Sequence, residues 1–109
     1  MEIAFRTRKI KRLCERGAEA QKRLGQASAK KLGARLSDLE AASSVAELVA
    51  GRPHPLVGDR VGQFAVDLSG GNRLVFSPDH EPAPVDADGS IKWDRVTKVR
   101  IEFIGDYHD

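Results

Sequence analysis

Arg73, Asp106 and His108, together with His54 and Arg60, are the residues of this sequence whose types belong together in phosphodiester chemistry. An imidazole titrates at about pH 6.5, so it can take a proton from an attacking hydroxyl or give one to a departing oxygen, worth roughly a hundred- to ten-thousandfold in rate. A fixed guanidinium meets the oxygens of a phosphorane as a fork, worth about 2 to 4 kcal/mol for one well-placed donor. RNA brings its own nucleophile, the 2′-OH. A protein that cleaves it needs a proton acceptor, a charge stabiliser and a proton donor, with no metal and no cofactor. Competing chemistries find little support. The three histidines show neither HExxH nor short His-x-His spacing, which argues against a metal site, and no serine lies in a G-x-S-x-G elbow. Gly70-Gly71 lies between two strand patterns, where it suits a hairpin better than a phosphate-cradling loop.

Strands must carry these residues. Val99, Ile101 and Phe103 alternate with Lys98, Arg100 and Glu102, the period of a half-buried strand. Carried past Gly105, that parity places Asp106 and His108 on the open face and turns Tyr107 away. Phe64, Val66 and Leu68 alternate with Gln63, Ala65 and Asp67. A loop of Gly70, Gly71 and Asn72 then sets Leu68 opposite Leu74 and Val66 opposite Phe76, joining the apolar sets and leaving Arg73 on the open face. Residues 54–57 read as a short, Pro-flanked run. Residues 77–93, rich in Pro, Asp and Gly, predict a long acidic loop with His80 solvated and Trp93 pinning its end to the core.

The first half is helical after a short strand at residues 1–5. From Thr7 the period changes, Ile10, Leu13 and Cys14 share one face, and Gly17 ends the helix. Cys14 reads as a small core residue. A second helix is expected over 18–41, with a stripe of Leu24, Leu32, Leu36 and Leu39 broken at Ser28. Gly25 and Gly33 each cost a helix interior about 1 kcal/mol relative to Ala. Ser44 with Glu47 fits a capping box that opens a short turn over 45–50. The order predicts an α+β domain, with two N-terminal helices packed on one face of a mainly antiparallel sheet and the other face open.

A chain of 109 residues suits one domain, residues 1–109. One cysteine excludes an internal disulfide and points to a reducing compartment. No apolar run reaches membrane-span length and residues 1–12 lack the apolar core of a signal peptide, so a soluble cytoplasmic protein away from membranes is expected. Residues 1–31 hold ten Lys or Arg against three Glu, a balance of 10 − 3 = +7, whereas residues 78–109 hold eight acids against four bases. Lys9, Lys11, Arg12 and Arg16 are thus candidates to grip a polyanion, since phosphate neutralisation supplies most sequence-independent nucleic-acid affinity.

Met1-Glu2-Ile3 with Phe5, Leu13-Cys14-Glu15, residues 36–40, His54-Pro55-Leu56-Val57-Gly58-Asp59-Arg60, Gly62-Gln63-Phe64, Asp67-Leu68, Arg73-Leu74 with Phe76, and Asp106-Tyr107-His108 together resemble the HigB-type toxins of the RelE/ParE toxin-antitoxin superfamily. The resemblance implies a microbial-RNase-like (RelE/ParE) fold and an mRNA interferase that enters the ribosomal A site and cuts the codon there. It also implies a HigA-like helix-turn-helix antitoxin, with operator DNA bound only through the toxin-antitoxin complex. His54 and His108 would handle protons, Asp106 would orient His108 or join the proton transfer, Arg73 would stabilise the phosphorane, Tyr107 would stack on a base, Arg60 would contact RNA, and the basic helix would hold ribosomal RNA. Many relatives carry a Lys where this chain has Val57, leaving Arg60 or Arg52 to substitute. The segment 79–94 is longer than usual in such toxins and is expected to project away from the site. ParE-type toxins of the same superfamily inhibit DNA gyrase without cutting RNA, and a regulatory partner without toxic activity is a third class. The imidazoles facing Arg73 favour the ribonuclease.

Overall fold

A computed structural model describes residues 1–107, in which the alternating segments pair into one five-stranded sheet. Its strands are β1 (Glu2–Phe5), β2 (His54–Pro55), β3 (Phe64–Asp67), β4 (Arg73–Pro78) and β5 (Lys98–Gly105), arranged β1-β5-β4-β3-β2. β1 runs parallel to β5, and the other pairings are antiparallel, so the sheet is mixed. The helices are α1 (Arg8–Glu15), α2 (Gly17–Leu24) and α3 (Gln26–Ala41), and none is long and apolar enough to cross a membrane.

Three helices stand where two were expected. At Gly25 the backbone turns to φ 87°, ψ 162°, ending α2 and starting α3. That left-handed φ is open to glycine at little strain, so Gly25 serves as a corner, while Gly33 stays inside α3. Gly17 does not end the first helix. Arg16 takes the extended conformation between α1 and α2, and Gly17 opens α2. Thr7 caps α1, its Oγ1 accepting the Ile10 amide at 3.1 Å.

Leu32, Leu36 and Leu39 of α3 and Ala20 of α2 meet Phe64, Val66, Leu74, Phe76, Val99 and Ile101 of the sheet, burying the apolar stripe against the strands' inner face. Ser28, the gap in that stripe, is buried with 2% of its surface exposed. Its hydroxyl donates to the Ser69 carbonyl at 3.1 Å and accepts from the Ser69 amide at 3.2 Å and Asn72 Nδ2 at 3.0 Å. A polar residue in the core thus clamps the β3–β4 loop onto α3.

The β3–β4 register is two residues from the expected one: Val66 faces Leu74, Asp67 faces Arg73, and the loop covers residues 68–72. A shift of two preserves parity, so the apolar sets still meet and Arg73 still projects from the outer face. Parity does break in β5. Val75 pairs with Phe103 and Phe76 with Ile101, which leaves Glu102 as the extra residue of a β-bulge. Val99 and Ile101 face the core, Phe103 crosses to the outer face beside Val75, and Ile104 returns to the core. Glu102, 7% exposed, accepts hydrogen bonds from Ser77 Oγ and Arg100 Nε, each at 2.7 Å.

β4 runs to Pro78, and the acidic segment beyond it closes on itself through a bridge between Val85 and Ile91. Trp93 anchors its end, with its ring centroid 4.8 Å from that of Phe64. His80 lies in the loop and is half-exposed, and its Nε2 accepts the amides of Thr97 at 3.1 Å and Lys98 at 3.3 Å, a backbone contact that the sequence did not predict. The turn after α3 is a single 3₁₀ turn at Val45–Glu47, where Glu47 takes the Ser43 amide at 2.7 Å and the Ser44 side chain makes no cap.

Candidate functional site

Residues directly opposite in an antiparallel pair project to the same side. His54 faces Ala65, Ala65 faces Val75 and Val75 faces Phe103, which makes one row across the outer face; Asp67, Arg73 and Gly105 make the next. The helices lie on the other side, so this face is where charged side chains gather.

The Asp67 carboxylate lies at the centre. Its Oδ1 is 3.2 Å from Arg73 Nε, and its Oδ2 accepts from Arg52 Nε at 2.8 Å. The hydrogen bond from Arg52 holds the Asp67 carboxyl below the usual carboxylate range; partial burial opposes this, and the charges of Arg52, Arg73 and His54 assist it. Arg73 Nη1 also donates to the Gly71 carbonyl at 2.8 Å, so its guanidinium is fixed on two sides.

His54 Nδ1 lies 2.7 Å from the Arg52 carbonyl oxygen. A carbonyl only accepts, so Nδ1 carries the hydrogen, and in the neutral ring Nε2 is the proton acceptor. Tyr107 completes the group. Its ring centroid is 4.5 Å from Arg60 Cζ and 5.7 Å from Arg73 Cζ, and Phe103 meets it edge-on at 6.0 Å. Arg60 also covers Phe103 at 5.0 Å and donates to Gln63 Oε1 at 3.4 Å. Each such cation–π contact contributes about 0.5 to 1 kcal/mol at an exposed site.

Of the residues singled out from sequence, His54, Arg60, Arg73 and Tyr107 come together on the outer face. Tyr107 does not turn away from the arginines as strand parity predicts. The bulge at Glu102 reverses parity, bringing Tyr107 onto the arginines, while the Asp106 carboxylate stands against Gly71, where a Cβ would come within 2.5 Å of its Oδ2. His108 lies outside the described residues. Lys9, Lys11 and Arg12 of α1 and the adjoining Arg16 are exposed on the helical side, away from Arg73. Val57 is 80% exposed and brings no charge.

Asp67 was not singled out from sequence, and Arg52 only as a substitute cation. The correct hairpin register would have exposed Asp67 as the partner of Arg73. Arg52 gave no such signal, because a residue before proline is biased toward extended backbone, and here φ is +49°. The group can bind an anion through its guanidiniums, take a proton at His54 Nε2 and offer an aromatic face. Among the described residues, no group of three or more His, Cys, Asp or Glu is placed to hold a metal ion.

No protein-family model matches the sequence, and no curated protein matches it. The chain is similar to the solved YoeB/ParE toxin from Agrobacterium tumefaciens, with TM-score 0.60 and 14% identity over 99% of this chain and 100% of that one. It is also similar to the YoeB dimer from Staphylococcus aureus, with TM-score 0.59 and 16% identity over 100% of this chain and 98% of that one. The YoeB–YefM complex from the same organism gives TM-score 0.58 at the same identity and coverage. These neighbours are named YoeB or YoeB/ParE and none is named HigB, and the likeness is one of fold: this chain is an α+β domain with three helices and a five-stranded mixed sheet among its described residues.

Proposed function

We propose that this chain is the toxin of a type II toxin-antitoxin system and acts in the cytoplasm as a metal-independent endoribonuclease, cutting mRNA in the ribosomal A site. The observation that supports this reading is the fixed Arg73 guanidinium, paired with Asp67 at 3.2 Å on the same outer face as His54 and Tyr107. In the proposed reaction His54 Nε2 removes the 2′-OH proton. The 2′-oxygen attacks the adjacent phosphorus, Arg73 meets the charge on the phosphorane oxygens, and the bond to the 5′-oxygen breaks. His108 supplies the proton to that oxygen, oriented by Asp106, and the product is a 2′,3′-cyclic phosphate. Tyr107 stacks on a base, with Arg60 holding its ring, and Lys9, Lys11, Arg12 and Arg16 contact ribosomal RNA.

A solved neighbour is the complex of YoeB with YefM. We assign this chain a cognate antitoxin as partner, of the HigA-like helix-turn-helix type, through which operator DNA is reached. A ParE-like action on DNA gyrase is the second reading. It is favoured by the exposed, uncharged Val57 and by the A. tumefaciens neighbour, described as YoeB/ParE. Timed induction in cells separates the two. Protein synthesis falling before DNA damage or filamentation supports the ribonuclease, whereas DNA damage first, with translation intact, overturns it.

A further inference from the structure

Arg52 occupies a backbone conformation that arginine disfavours. Its φ of +49° is left-handed, a region where the Cβ of any residue but glycine is crowded against the backbone. The fold holds it there from both sides. Gly51, at φ +84°, accepts the Asp67 amide at 2.6 Å, and a Cβ on Gly51 would come within 3.1 Å of the Asp67 carbonyl oxygen. The same Asp67 then receives the Arg52 side chain, through Nε at 2.8 Å and Nη2 at 3.5 Å. One carboxylate therefore holds two guanidiniums, Arg52 from the segment before β2 and Arg73 from β4, and the trio carries a net single positive charge. The Arg52 side chain remains 66% exposed, although its inner edge is engaged. An exposed pair of this kind adds little to stability, so the ion pair by itself does not offset the strain. A residue kept in a strained conformation for its side chain is the pattern of a binding role.

We propose that Arg52 is a second phosphate-binding residue of the outer-face site, and that Asp67 is the positioning residue that holds Arg52 beside Arg73. The proposal rests on the ribonuclease reading and adds to it. Arg73 meets the scissile phosphate, Arg52 meets a neighbouring one, and Asp67 sets their spacing through its two oxygens. The Arg52 carbonyl also fixes the His54 tautomer, so one residue presents a cation by its side chain and orients the base by its backbone.

Arg52→Gly separates function from stability, because glycine accepts the left-handed backbone and keeps the carbonyl. Its melting temperature should equal or exceed the parent's. Its affinity for a fully 2′-O-methylated, uncleavable single-stranded RNA oligonucleotide should fall, and the slope of log K against log[salt] should lose about one phosphate, roughly 0.7. Arg52→Lys should restore most of that slope. Asp67→Asn removes a negative charge from the site, so the oligonucleotide should bind it at least as tightly as the parent. Its single-turnover cleavage on programmed ribosomes should nevertheless drop about tenfold, because the two guanidiniums lose their spacing.

A salt slope unchanged in Arg52→Gly overturns the proposal while leaving the nuclease intact. Binding and cleavage falling together in Asp67→Asn, in step with its melting temperature, would reduce Asp67 to a structural residue and overturn it as well. A parent that neither binds the oligonucleotide nor cuts on ribosomes overturns the ribonuclease reading and this proposal with it.

Discussion

Asp67 Oδ1 and Arg73 Nε lie 3.2 Å apart across the β3–β4 pair, on residues that directly oppose one another in the ladder. Sheet register therefore sets the position of the guanidinium. A loop one residue shorter or longer would point Arg73 toward α3 and the core. What holds the register is the β3–β4 loop, and what holds the loop is Ser28.

Ser28→Ala removes the hydroxyl that serves Ser69 N, Ser69 O and Asn72 Nδ2, leaving partly buried polar groups unsatisfied. The expected cost is about 1 to 3 kcal/mol in urea unfolding. Amide exchange at Ser69 and Asn72 should quicken more than exchange in β5. Unchanged exchange in the loop would show that Ser28 does not hold it.

Gly25 and Gly33 should respond oppositely to alanine. At Gly25 the φ of +87° strains any Cβ, so Gly25→Ala should destabilise by about 1 kcal/mol, a fall of roughly 4 to 8 °C in Tm for a domain of this size. Gly33 is helical with open space around its Cα, so Gly33→Ala should stabilise by about 0.5 to 1 kcal/mol. Thermal melts of the two variants decide it, and equal shifts would contradict the corner at Gly25.

The lowered pKa of Asp67 makes its contribution to stability depend on pH in a defined direction. With the folded value below the unfolded one, the contribution is complete above the ordinary carboxylate range of about 3.9 and is lost as pH falls through the lowered value. The stability difference between the parent and Asp67→Asn should thus stay level from about pH 6 to pH 4.5 and shrink below about pH 4. A difference that widens on acidification would contradict the ion pairs.

Burial, and after it the neighbouring Glu15 charge, pushes the Cys14 thiol up to about 12. The thiolate is the reactive form, so at pH 8 folded protein should react with iodoacetamide roughly a thousandfold more slowly than a free cysteine near 8.5, and at the ordinary rate once unfolded. Rapid alkylation of the folded chain would refute that packing.

Periodicity carried most of the fold. The alternation in β3, β4 and the first half of β5, and the leucine stripe of α3, predicted which residues meet in the core. Two features could not be read from the pattern. A bulge adds one residue to a strand without changing its composition, so Glu102 gave no warning that Tyr107, and not Asp106, would face the arginines. Gly25 carried the signal of a break, but a glycine inside a helix and a glycine between two helices look alike in sequence. The residue types of the candidate site were legible in His54, Arg60, Arg73 and Tyr107. The carboxylate at its centre was not, because a wrong register hides which acid opposes which base.

The most direct test of the central claim uses ribosomes programmed with a defined mRNA, incubated with the parent protein or with Arg73→Ala, the cut ends being mapped by primer extension. The parent should cut in the A site, and Arg73→Ala should cut about a hundred- to thousandfold more slowly with its Tm within a few degrees of the parent's. Folded parent protein that leaves the mRNA whole, or an Arg73→Ala variant that cuts at the parent's rate, would contradict the claim.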